Sequence, residues 1–360
     1  MKYIGIDFRE VLEAETGIGN YTKNLTQEIL KLDKKSVYYL IFNKGKTYER
    51  YKSLYKNNKN VKVVAIKSKS QSLKSEFILG KELKKLKIDL FWTHIWGSAY
   101  ILPVPYIITL HDIIGIKNPK YVSVKYRLYN SLHLKWTMSH ALKILVPTHA
   151  VKSDIIKYFG GRNIKKIKVT GEGVSIPKSY YEGIDVLDKY NINSSFFIYI
   201  GNSKPHKNLN ILIDSFEEYR EKYNKKDSLV LIGVDKNQIS GNLENVYILK
   251  DINNTEKFEI LKKSTALITL SEEEGFCLPL LEATYVKVPI ICSDIEVLRE
   301  VIGDEGALFV DNKDKEDVAL NMYRIAQNKE IGEKLVKEAE KRLNYYSWKK
   351  TAKKILKYIK

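Results

Sequence analysis

The stretch Ala266–Val301, ALITLSEEEGFCLPLLEATYVKVPIICSDIEVLREV, decides the fold. Residues 266–270 form a short apolar run that reads as a buried strand, and residues 271–277 an acidic loop. A helix follows from Leu278, with Pro279 in its first turn, where a missing N–H has no intrahelical partner to lose. A second apolar run, 288–292, reads as another buried strand, and 295–301 as a further helix. Strand, helix and strand in that order make a βαβ unit and imply a parallel sheet. The acidic loop ends at a helix N-terminus, where free N–H groups and the macrodipole attract anions. In open α/β sheets ligands settle beyond the carboxyl ends of strands, so this loop is placed for a phosphate-bearing ligand.

Glu274 falls in the loop and Glu282 one turn into the helix, so two carboxylates flank the anion position. Each can accept hydrogen bonds from hydroxyls such as those of a sugar or a ribose. The same spacing also fits a solvated acidic loop, Glu272 to Glu274, and a glutamate that complements the helix dipole. The wording of the stretch adds to this. EGFCLPLLEA (Glu274–Ala283), followed by VPII (Val288–Ile291), resembles the donor-site signature of the retaining glycosyltransferases of family 4. Their fold, GT-B, has two Rossmann-like doubly wound domains facing across a cleft, with a C-terminal helix crossing back to the first domain.

Outward from this stretch, 360 residues fit two domains. The resemblance places them at 1–178 (acceptor), 179–345 (nucleotide-sugar donor) and 346–360 (returning helix). Strand-like runs at 2–7, 37–42, 61–66, 88–92, 106–110 and 144–146 alternate with helical stretches such as 75–86 and 124–141. The second half repeats the pattern, with strands at 196–200, 229–233, 246–249 and 307–310 and a largely helical end from 315. The polar stretch 177–195, with Glu182, Asp185 and Asp188, reads as a linker.

Gly17 and Gly19 read as a glycine-rich turn after the first strand and before a helix, which lets backbone approach a ligand. Thr22 stands where a dinucleotide fingerprint needs its third glycine, which weakens a nicotinamide reading. A second strand-end loop, GNSKPHKN (Gly201–Asn208), meets a helix near Leu209 and carries two lysines, either solvated or set to meet a diphosphate. His111, directly after a strand, is either a turn residue or a group for a sugar hydroxyl. His94 has no assigned partner beyond nearby Trp92 and Trp96, and His133 and His140, seven apart, read as packing. KKIKVTGEG (Lys165–Gly173) resembles the end of the family's first domain, and Tyr346–Trp348 its aromatic turn.

The resemblance implies a hexosyl transfer from a GDP- or UDP-sugar to an acceptor hydroxyl, with retention. Catalytic positions carried over are Glu274, His111 and Lys207. Donor-binding positions are Gly17, Gly19, Asn202, Lys204, Lys207, Gly275, Phe276, Cys277, Leu278 and Glu282. Two positions depart from the family: Asn202 stands where arginine is frequent, and Lys250-Asp251 where a glycine is usual. No Asp-x-Asp motif occurs and the histidines and cysteines lack metal-ligand spacing, so no metal or other cofactor is expected.

Residues 1–180 contain 33 Lys+Arg against 13 Asp+Glu, and residues 181–360 contain 28 against 30. A basic first half fits an anionic partner such as a membrane surface, a lipid-linked acceptor or nucleic acid. Protein and glycan acceptors fit the resemblance equally, whereas no aromatic stacking motif supports nucleic acid. The rival reading is a non-catalytic basic Rossmann scaffold that binds anionic lipid or nucleic acid. No 18-residue apolar run occurs, MKYIGID lacks a signal-peptide core, and Cys277 and Cys292 read as buried thiols. A cytoplasmic protein, peripheral at the inner membrane face, is expected.

Overall fold

The runs that read as strands are dense in Val, Ile, Leu, Tyr and Phe on both sides, as in VYYLIFN (Val37–Asn43) and FFIYI (Phe196–Ile200). Such strands must be covered on both faces, which is the condition of a parallel sheet between helices. The computed structural model describes residues 1–11, 17–66, 73–94, 102–177 and 186–359. Thr16, Trp96, Glu182 and Asp185 lie outside the described residues.

The chain divides into two compact units, one of Met1–Gly173 with Ser347–Lys360 and the other of Val174–Tyr346. In the first, β1 (Tyr3–Asp7), β2 (Val37–Asn43), β3 (Val61–Ile66), β4 (Leu90–Thr93), β5 (Tyr106–Thr109), β6 (Lys143–Val146) and β7 (Ile167–Val169) form one sheet. Its order is β3-β2-β1-β4-β5-β6-β7, and all of its pairs are parallel. In the second, β8 (Phe196–Ile200), β9 (Ser228–Ile232), β10 (Val246–Leu249), β11 (Ala266–Thr269), β12 (Ile290–Ser293) and β13 (Leu308–Val310) pair in parallel as β10-β9-β8-β11-β12-β13.

Period-two alternation splits the second core. Phe196, Ile198, Val230 and Leu267 face one apolar layer, while Phe197, Tyr199, Leu229 and Ile268 face the other. Each sheet reverses its strand order once, at β1/β4 and at β8/β11. These are the positions where loops diverge and leave room for a ligand.

Three local readings are corrected. Residues 186–195 are not a linker: Val186–Lys189 is a short helix, and Val186 and Ile192 are buried in the second core beside Phe196. Two apolar anchors in a polar stretch suffice to dock it. β12 begins at Ile290 rather than Val288, because Lys287 has left-handed backbone and Pro289 offers no N–H to a ladder. Gly17 and Gly19 belong to helix Gly17–Leu32 itself rather than to a turn before it.

The helix Trp348–Ile359 buries Trp348, Thr351, Ala352, Ile355, Leu356 and Ile359, a stripe at spacings of three and one, against helix Gly17–Leu32 of the first unit. Thr351 Oγ1 donates to the Glu172 carbonyl at 3.2 Å. A Cβ on Gly173 would lie 2.2 Å from the Trp348 amide nitrogen, so only glycine permits this approach. Among the described residues no helix is long and apolar enough to cross a membrane.

Candidate active site

At the β8/β11 reversal in the second unit, loop 201–208 leaves β8 and loop 270–277 leaves β11. The Glu272 N–H donates to the His206 carbonyl at 2.8 Å, and Asn312, after β13, donates through its amide to the Ser271 carbonyl at 3.2 Å. Asn208 in turn donates to the Asn312 carbonyl at 2.6 Å. Three strand-end loops are thereby laced together.

Close backbone approach makes this possible. Gly233 has φ +81°, and a Cβ there would meet the Gly201 carbonyl oxygen at 2.8 Å. Gly201 lies over the Tyr199 hydroxyl, which donates to the Asn202 carbonyl at 2.8 Å.

Within this lacing, Lys207 Nζ lies 2.6 Å from Glu274 Oε1, with side chains 16% and 8% exposed. Ser271 Oγ also donates to Glu274 Oε1, at 2.8 Å. The pair joins the two loops by a charge-assisted hydrogen bond.

Helix Leu278–Tyr285 starts immediately after. Its first residue follows Cys277, which has φ 73°, and no side chain caps the helix. Left-handed backbone at a non-glycine residue costs about 1–3 kcal/mol, a strain typical of functional loops. Burial, then the neighbouring Glu274 carboxylate, push the Cys277 thiol well above its ordinary range. Cys277 and Cys292 are both free.

The other positions named from sequence fall around this pair. Asn202 and Lys204 are exposed; the Asn202 side chain accepts from the Lys204 N–H at 3.1 Å and shapes the turn. Gly275 and Phe276 are buried, and Phe276 meets Tyr346 edge-on at 5.1 Å. Glu282 is bound at 2.7 Å by Lys257, a partner the sequence did not indicate. Twenty-five residues separate the two, with no periodicity linking them. At Lys250-Asp251, Asp251 adopts φ 54°, the left-handed conformation that a glycine takes without cost.

The first unit holds a different cluster at its strand ends. Asp7 and Arg9 form an ion pair at 2.7 Å with both side chains fully buried, and Thr93 donates to Asp7 at 2.9 Å. Burial acts to raise the Asp7 pKa, but Arg9 and these hydrogen bonds hold it below the ordinary carboxylate value.

His111 Nδ1 lies 3.1 Å from Glu172 Oε1, and its Nε2 is buried with no hydrogen-bond partner among the described residues. A carboxylate only accepts, so Nδ1 carries a proton and donates it to Glu172. Tyr21 stands edge-on to His111 at 4.6 Å and to Trp348 at 5.6 Å. His94 is buried with neither ring nitrogen hydrogen-bonded among the described residues, and burial and His111 lower its pKa to about 3. Glu172 lay inside a quoted motif without a role; its place just beyond β7 was the available signal. Gly17 is exposed and Gly19 buried in this unit. Among the described residues no group of three or more His, Cys, Asp or Glu is arranged to hold a metal ion.

Sequence models of two families, described as Glycosyl transferases group 1 and Glycosyltransferase Family 4, match residues 188–342 and 16–176. The chain belongs to glycosyltransferase family 4. Among relatives of this family 4 chain, O-antigen chain mannosyltransferase B of Escherichia coli is 25% identical over 257 residues, 67% of this chain and 66% of the relative. O-antigen chain mannosyltransferase RfbU of Salmonella typhimurium is 29% identical over 217 residues, 58% of this chain and 57% of the relative. The chain thus spans just under two thirds of the length of these relatives or less.

The sucrose-phosphate synthase of Thermosynechococcus elongatus has the same fold, with TM-score 0.78 at 15% identity, covering 100% of this chain and 98% of that one. So does Anabaena HepE, solved with UDP and glucose, with TM-score 0.75 at 14% identity, covering 100% and 99%. The fold of this family 4 member is GT-B, an α/β architecture of two parallel sheets.

Proposed function

We propose that this chain transfers a hexosyl unit from a GDP- or UDP-sugar to an acceptor hydroxyl in glycan assembly, with retention at the anomeric carbon. The observation that carries the reading is the Lys207–Glu274 pair, set at the strand-order reversal beside an uncapped helix N-terminus. Two O-antigen mannosyltransferases among the relatives make mannose the first sugar to test.

The difficult charge in this reaction lies on the departing nucleotide diphosphate. Lys207, helped by exposed Lys204 and the amides around Leu278, stabilises it as it leaves. Glu274 orients Lys207 and accepts from sugar hydroxyls, and Glu282, steadied by Lys257, accepts from the ribose. The leaving phosphate oxygen takes the acceptor proton, so no separate general base is assigned. The lysines supply positive charge in place of a divalent ion, and the reading includes no metal. The first unit, rich in lysine, takes the acceptor; His111 of that unit is read as a sugar-hydroxyl partner.

A thermal-shift panel of GDP, UDP and their mannose and glucose conjugates tests the donor. One nucleotide raises the melting temperature, since a ligand at 100 times its Kd stabilises the folded state by about 2.7 kcal/mol. A flat panel, together with no sugar transfer from any of these donors, overturns the transferase reading in favour of a binding scaffold. NMR of the first product's anomeric proton tests retention.

A further inference from the structure

Helix Val124–His140 in the first unit is apolar on two sides. Its inner side buries Leu134 and Met138 with Asn130, His133 and Thr137. On the outer side, Val124, Leu128 and Leu132 recur every fourth residue and are 70%, 62% and 62% exposed, flanked by Tyr129 and Trp136 at 56% and 46%. A surface helix of a folded unit ordinarily turns a polar face outward. Contiguous exposed apolar side chains mark an interaction surface.

We propose that this outer face docks on an anionic phospholipid bilayer. Charge selects the occupant. Between Ile113 and Ser153 the sequence has seven Lys or Arg and no Asp or Glu, and three of the seven, Lys125, Arg127 and Lys135, lie on the helix itself. An apolar stripe with Trp and Tyr, bordered by lysine and arginine without acids, suits a helix lying in the headgroup plane. Its rings sit at the boundary between chains and headgroups, and the long basic side chains reach phosphates. A second copy of the chain fits worse, because it brings the same basic surface against itself.

Flotation of the full chain with vesicles tests the surface without any nucleotide, so its outcome is separate from that of the donor test. The protein rises with phosphatidylglycerol-containing vesicles, stays down with pure phosphatidylcholine, and is released by high salt. Leu128→Ser, Leu132→Ser and Trp136→Ser combined lower partitioning at least tenfold with an unchanged melting temperature. Reversing Lys125, Arg127 and Lys135 to Glu lowers it at least tenfold by an independent route, which keeps the test open should the first variant fold poorly. Equal partitioning onto both vesicle types, or no loss in either folded variant, overturns the proposal. So does a lipid-free dimer that these variants disperse, since a second copy then covers the face.

Discussion

The two units share an architecture and differ in what they place at the reversal of strand order. The second sets a partly exposed ion pair there, Lys207 on Glu274, between loops laced by backbone and amide hydrogen bonds. The first places a fully buried Asp7–Arg9 pair there, with the neutral ring of His94 and the Tyr21, His111 and Trp348 rings nearby. Their charges differ as well. Residues 1–173 with 347–360 carry 38 Lys+Arg against 13 Asp+Glu, and residues 174–346 carry 23 against 30. One scaffold therefore supports two electrostatic regimes. One ion pair is partly exposed and the other is fully buried.

The sharpest way to break this contrast is Arg9→Leu, which leaves the Asp7 carboxylate buried without its cation and costs about 3–5 kcal/mol. All four tryptophans lie in the first unit, so tryptophan fluorescence in urea follows that unit alone. An unchanged midpoint would show that the sealed pair is not structural.

Next in size is Glu274→Gln, expected to leave the melting temperature nearly unchanged while donor turnover falls about 100-fold, roughly 2.7 kcal/mol of transition-state stabilisation. Turnover within twofold of the parent removes Glu274 from the site.

Third, acid should weaken the first unit in a defined window. The folded pKa of His94 is depressed to about 3 by burial and His111, so its contribution is complete above the unfolded value of about 6.5 and is lost as pH falls toward 3. By pH 5 the loss is about 2 kcal/mol. His133, lowered by burial, acts in the same direction. His94→Leu flattens the tryptophan-detected profile between pH 7 and 5, and a variant with the parent's slope contradicts this assignment.

The smallest effect belongs to Lys204→Ala, because the side chain is exposed. Nucleotide affinity by calorimetry falls about fivefold, the range of a solvent-screened charge contact. A loss matching that of Lys207→Ala would show that the two lysines act as one unit.

Much of the fold was legible locally. Residues 61–66, 196–200 and 246–249 read as strands over the spans they occupy, because buried parallel strands are unbroken apolar runs. The acidic loop and the Pro-opened helix were equally visible. Val186 and Ile192 were not, since two anchors inside a polar stretch leave no periodic signal. Nor was the dual character of helix Val124–His140, where only His133 and His140 were read, as packing.

The sequence by itself determined the order of strands and helices, the loops at the strand ends and the chemistry available in them, because hydrophobic period and turn residues act over a few positions. Tertiary structure decided the partnerships. Lys207 meets Glu274 across 67 residues and His111 meets Glu172 across 61, because β8 lies beside β11 and β7 follows β6 at the sheet edge. Ser347–Lys360, the return that the resemblance implied, packs on the first unit and brings six further lysines to it. Such pairings follow from strand order and helix docking, which are set by burial summed over a whole domain and leave no trace in local spacing.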